Sequence, residues 1–276
     1  MKIAVVISGV ADAKRPIEMP STRQWSDLIA TPTTSFKLSP FDEAALEVAL
    51  KMRDRCSSTT VHIIVTDGSL DTALMRHIAS YRPDSLVGLR IEPTQRGDAR
   101  CLSQHVKQLI PADLQIDLWL IGREHGDMDD GVVPVTLAES WRLPFLSLVL
   151  TVKKDLASDQ AVLVERMASD QIELVQCTFP ALLSVSNDKS NRLRHPLMKN
   201  VMLAKQQTID VHSPQTPLTG PMLTQACPVS KLVPTDLAAR GLKPCKMIEG
   251  SVEQQVQALA QHLDRWRQSG MQNVDS

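Results

Sequence analysis

A chain of 276 residues with 43% hydrophobic residues can bury the core of one large domain, or of one domain with appended arms. Its net charge of −1, with 22% charged residues, carries no basic footprint for nucleic acid or an anionic membrane. Five cysteines (Cys56, Cys101, Cys177, Cys227, Cys245) with no C-x-x-C spacing argue against a disulfide framework or a thiolate metal site and fit a reducing cytoplasm.

The chain opens with a short apolar run, Ile3 to Ile7, too short for a signal peptide and typical of a strand buried on both faces. About thirty residues rich in Pro, Ser and Thr follow and read as a long loop. The clearest helix runs from Asp42 to Arg55. Ser39 suits the N-cap, Pro40 the first helical position, and Asp42 the acid of a capping box. Phe41, Ala45, Val48, Ala49 and Met52 line one face, with acids early and bases late to complement the helix dipole. Taken alone, the segment is a well-capped helix.

Val61 to Val65 reads as a second buried strand, Asp71 to Ser80 as a helix, Ser85 to Ile91 as a strand, and Asp98 to Ile110 as a helix closed by Pro111. Ile116 to Ile121 is a further buried strand ending at Gly122. Strands alternating with helices predict a parallel sheet with helices on both faces. The loop Gly122 to Gly131 joins this strand to a helix containing Val135, Ala138, Glu139 and Trp141. A glycine-bearing loop between a parallel strand and a helix N-terminus is where α/β proteins hold nucleotide phosphates. This one is acidic and matches neither a Walker A loop nor the dinucleotide fingerprint. Clustered Asp with His125 is also compatible with a metal ion, but one His and unevenly spaced acids do not define a ligand set, and no metal is expected.

After Pro144 the rhythm changes. Leu146 to Lys153, Ala161 to Met167 and Gln171 to Cys177 read as an antiparallel meander, and Ala181 to Val185 as another apolar strand. Asn187 to Gln207 is basic with few helix or strand signals, and His212 to Pro221 reads as an exposed linker. Val252, Val256, Leu259, Leu263 and Trp266 share one face of a terminal helix, which suits packing either on a partner or on its own domain. Residues 1–210 are thus expected to form a nucleotide-binding α/β domain, and 211–276 a linker and C-terminal arm. No nucleophile motif is present, which favours a carrier or binding protein over an enzyme with its own catalytic residues.

Three segments in order resemble the β subunit of electron-transfer flavoprotein (the FixA-like family). Lys37 to Glu47 is similar to the family's N-P-F-D-E-x-A-[LV]-E helix start. Asp117 to Gly122, with Asp127, Asp129 and Ala138-Glu139 on to Pro144, resembles its D-L-[VI]-L-x-G-x-x-x-x-D-x-D stretch and L-A-E-x-L-x-x-P. Pro180 to Val185, leading to Met202-Leu203-Ala204-Lys205, resembles P-A-[VL]-[VL]-[ST]-V and I-M-x-A-K.

The resemblance implies an adenine nucleotide alpha hydrolase-like α/β fold holding AMP, or a second FAD. It also implies an FAD-bearing α subunit as partner, with that FAD at the interface. Electrons would come from flavin-dependent dehydrogenases and pass toward a membrane quinone oxidoreductase. By position it implies nucleotide contacts at Val6, Ser39, Pro40, Phe41, Asp42, Asp67, Gly122, Arg123, Asp127, Asp129, Asp130, Gly131, Val132 and Val133. Partner docking would fall around Arg194, Met198 and Met202. The chain departs from the family pattern in having Val132-Val133-Pro134 where Gln-[TV]-Gly is common: Pro134 lacks an N–H and the valines lack hydroxyls. Two other readings suit the same residues, a stand-alone nucleotide-binding regulator and an adenine-nucleotide hydrolase.

Overall fold

In a computed structural model, residues 1–12, 14, 35–66, 72–91, 98–110, 114–127, 129, 131–213 and 247–271 are described. The chain divides into two compact units, Met1–Leu232 and Val233–Ser276. The described elements of the first, in chain order, are β1 (Lys2–Ile7), β2 (Val10–Ala11), β3 (Phe36–Lys37), α1 (Pro40–Arg55), β4 (Thr60–Val65), α2 (Thr72–Ala79), β5 (Ser85–Leu89), α3 (Ala99–Leu109), β6 (Leu118–Gly122), α4 (Val132–Trp141), β7 (Phe145–Lys154), β8 (Ala161–Ala168), β9 (Gln171–Thr178), β10 (Ala181–Val185), a 3₁₀ turn (Lys189–Asn191), α5 (Met198–Ala204) and β11 (Asp210–His212). The second unit contributes α6 (Val252–Met271).

Nine of the described strands form one sheet in the order β11-β5-β4-β1-β6-β10-β7-β8-β9. It is parallel from β11 to β7. The hairpins β7-β8 and β8-β9 extend it antiparallel. The expected antiparallel meander forms and extends the same sheet. The protein is thus an α/β protein with a mostly parallel sheet.

The alternation of side chains along β1 shows why both faces are covered. Ile3, Val5 and Ile7 join a core with α1 and α2, while Ala4 and Val6 join a second core with α3 and α4. A parallel strand buried this way must be apolar throughout, since each face needs its own residues. On the second face, Trp119 of β6 packs against Trp141 of α4 with ring centroids 4.5 Å apart, and Trp141 Nε1 donates to Ser103 O on α3 at 3.1 Å. These contacts hold the C-terminal end of α4 against β6 and α3.

Short elements depart from the sequence expectation: Val10–Ala11 and Phe36–Lys37 pair antiparallel at the ends of the segment read as a long loop. Asp210–His212, at the edge of the anticipated linker, pairs parallel with β5, and Met198–Ala204 forms a helix inside the segment read as irregular. The long Pro/Ser/Thr segment lies largely outside the described residues, as does most of His212 to Pro221.

Candidate functional site

The chain runs from β1 to β4 and β5 on one side, then returns to place β6 on the other side of β1. This reversal opens a crevice at the carboxyl ends of β1 and β6, where open α/β sheets hold ligands. Three segments meet there: the loop after β1, the start of α1, and the loop between β6 and α4.

The start of α1 forms as the sequence predicts. Ser39 Oγ accepts the Asp42 amide at 2.9 Å, and the Asp42 carboxylate returns to the Ser39 amide at 3.3 Å. Asp42 also reaches across to the loop after β1. Its Oδ2 accepts from Gly9 N at 3.1 Å and from Ser39 Oγ at 2.9 Å. Its Oδ1 is buried with no partner among the described residues. Burial raises the acid to about 6, and the hydrogen bonds from Ser39 and Gly9 only partly offset this.

Gly122 ends β6 directly beneath this turn. A Cβ there would sit 2.8 Å from Phe41 Cβ and 2.9 Å from Phe41 C, so only glycine lets the strand and helix approach so closely. Four residues on, Gly126 has φ +79 and lies against Ser8, whose Oγ is 2.9 Å from where its Cβ would be. Asp127 Oδ2 accepts from Ala11 N at 2.9 Å. The loop after β1 is therefore tied to Asp42 on one side and Asp127 on the other.

His125 is buried, and its Nε2 lies 3.1 Å from Thr66 Oγ1. Thr66 Oγ1 also lies 3.3 Å from Ile7 O, and His125 Nδ1 is buried with no partner among the described residues. Burial lowers the imidazole to about 4, with Asp129 pulling weakly the other way, so the ring is neutral at pH 7. Sequence reading noticed His125 only as a conceivable ligand. Its partner Thr66, at the end of β4, carried no signal.

Asp129 caps α4. Its Oδ1 accepts from Gly131 N at 3.0 Å, Val132 N at 2.7 Å and Val133 N at 3.1 Å, and its Oδ2 from His125 N at 2.9 Å. Of the remaining candidates, Val6 is a core residue, Pro40 and Arg123 are exposed, Phe41 is half-buried, and Asp67 and Asp130 lie outside the described residues.

The residues expected to dock a partner lie elsewhere. Arg194 folds back on α1: its Nε and Nη2 donate to Glu47 at 2.9–3.2 Å, its backbone N donates to Glu47 Oε2 at 3.2 Å, and its Nη1 reaches Asp54. Its hydrogen bonds to Glu47 raise the guanidinium above its ordinary value. Tyr81 OH donates to Arg194 O at 3.0 Å. Leu197, just before α5, and Met198, Met202 and Leu203 on it expose their apolar side chains.

The fold defines an α/β protein with a mostly parallel sheet and a crevice at the carboxyl ends of β1 and β6. Comparison with known proteins narrows the class: the family model described as "Electron transfer flavoprotein domain" matches residues 28–217, and the chain belongs to that family. It is 25% identical over 178 residues to the electron transfer flavoprotein subunit beta of Mycobacterium leprae (strain TN), and equally to that of Mycobacterium tuberculosis (strain ATCC 25618 / H37Rv). It is 25% identical over 174 residues to the caffeyl-CoA reductase-Etf complex subunit CarD of Acetobacterium woodii. Each match covers 63% of this chain and 65% of the relative's length. Among the described residues, no helix is long and apolar enough to cross a membrane.

Proposed function

We propose that this chain is the β-type subunit of a two-chain electron-transfer flavoprotein. It pairs with an α subunit that carries FAD, and the pair takes electrons from flavin-dependent dehydrogenases and passes them toward a quinone oxidoreductase. The observation that carries this reading is the family match over residues 28–217. The flavin supplies the redox chemistry; the residues of this chain hold, orient and recognise.

The exposed apolar face of α5, beside the Arg194–Glu47 pair that anchors the segment, is the surface assigned to the dehydrogenase. The apolar face of α6, with Val252, Val256 and Trp266 exposed, is assigned to the α subunit. In the family pattern an adenine ligand, AMP or, in electron-bifurcating members, a second FAD, would sit in the crevice between the starts of α1 and α4.

The test is reduction of the complex's flavin. Co-produced with its α subunit, the chain yields a flavin-bearing complex that a dehydrogenase fraction of the same cells reduces when given substrate. Met198→Asp/Met202→Asp slows that reduction at least about tenfold while leaving the complex and its reduction by dithionite intact. A complex reduced equally fast with and without these substitutions would remove the docking assignment. A chain that forms no flavin-bearing complex would remove the whole reading.

A further inference from the structure

The N-terminus of α4 is the part of the crevice where a nucleotide phosphate finds backbone N–H groups and the positive end of a helix dipole. In this chain those groups are already spent. Gly131 N, Val132 N and Val133 N all donate to Asp129 Oδ1, and His125 N donates to Asp129 Oδ2. The next residue is Pro134, which has no N–H, and Val132 and Val133 offer no side-chain donor.

A phosphate could enter only by displacing a carboxylate from four amide hydrogen bonds and then lying against the carboxylate it displaced. A second acid, Asp127, stands two residues away and is itself engaged with Ala11 N. Of the buried atoms left without partners among the described residues, Asp42 Oδ1 adds a carboxylate oxygen and no donor. Among the described residues at the start of α4, the donor set does not fit a phosphate.

We propose that Asp129 is a built-in anion standing where a nucleotide phosphate would otherwise sit, and that this subunit therefore holds no AMP and no other phosphorylated nucleotide. The inference takes the crevice from the β-subunit reading above but makes the opposite statement about its ligand. It leaves the crevice to an uncharged molecule such as adenosine, or to none.

Two measurements test it. The first is the nucleotide released when the purified complex of this chain with its flavin-bearing subunit is denatured and separated by chromatography. The expected result is flavin without AMP; about one AMP per complex overturns the inference while leaving the subunit assignment untouched. Failure to obtain any flavin-bearing complex overturns the subunit assignment, and the same AMP measurement on the chain alone still decides this one.

The second is titration with AMP, adenosine and inorganic phosphate, read by thermal shift. The wild-type chain shows no saturable response to AMP or phosphate. Asp129→Gly frees the three α4 amides and gains AMP affinity by at least about tenfold over wild type. Asp129→Asn keeps an oxygen on those amides, loses only the charge, and gains less than Asp129→Gly. A folded Asp129→Gly that still ignores AMP overturns the role given to Asp129, as does a wild-type chain that binds AMP and loses it on this substitution. If Asp129→Gly does not fold, the released-nucleotide measurement decides alone.

Discussion

Two buried titratable groups at the crevice oppose each other in their effect on stability, and removing one exposes the other. Asp42 rises from 3.8 to about 6 in the folded protein, so the folded state holds a proton that the unfolded state has lost. Its contribution is fully present below pH 3.8 and is lost as pH rises through about 6, a total of about 3 kcal/mol at ~1.4 kcal/mol per unit. His125 falls from 6.5 to about 4, so the unfolded state binds the extra proton. Its contribution is fully present above 6.5 and is lost as pH falls through about 4, again about 3 kcal/mol.

Between roughly pH 4.5 and 7.5, Asp42 therefore removes about 2 kcal/mol and His125 adds about 2–3, nearly cancelling. Asp42→Asn keeps an oxygen for the Gly9 and Ser39 donors but does not titrate. Its stability relative to wild type should increase by about 2 kcal/mol on going from pH 4.5 to 7.5. His125→Gln should show the reverse trend, gaining on wild type as the pH falls. Urea unfolding of the three proteins at both pH values gives the comparison, and contributions from all other groups cancel in the difference. A stability difference between Asp42→Asn and wild type that is the same at both pH values would refute the burial argument for Asp42.

Three further substitutions test the framework of the site. Gly122→Ala drives a Cβ into the Phe41 backbone and should cost about 2–3 kcal/mol in thermal or urea unfolding; an unchanged midpoint would show that α1 does not rest on β6 as described. Gly126→Ala, at φ +79 and against Ser8, should lower the melting temperature through strain of about 1–2 kcal/mol. Arg194→Met leaves Glu47, with only 5% of its side chain exposed, without its cation and should cost about 3 kcal/mol; adding Glu47→Gln should restore a good part of this, and no restoration would mean that the pair is not what anchors the segment before α5.

How much of this was legible in the sequence depended on how local each feature is. The start of α1 was readable because a capping box needs only Ser39, Pro40 and Asp42 at fixed spacing. The parallel strands were readable because burial on both faces forces unbroken apolar runs such as Ile3 to Ile7. Strand order was not: β10 lies between β6 and β7 although β7, β8 and β9 intervene in the chain, and no local signal encodes that. β11 has three exposed residues and is a strand only because β5 offers an open edge.

At the site, the acids after Gly122 were visible as acids, but their work was not. Asp129 closes onto four amides only once the loop and α4 are in place. Gly122 was read as part of a nucleotide loop, whereas its proximate reason is the closeness of Phe41. Arg194 was placed with the docking residues by position, and in three dimensions it grips Glu47 and Asp54, leaving the exposed apolar surface to Met198 and Met202.

The central claim, that this chain works as the β-type half of an electron-transfer flavoprotein, is tested most directly by native mass spectrometry of the chain co-produced with its flavin-bearing α subunit. A one-to-one complex whose extra mass is that of a single FAD is expected. A chain that remains alone and colourless beside a separately folded flavin subunit would contradict it.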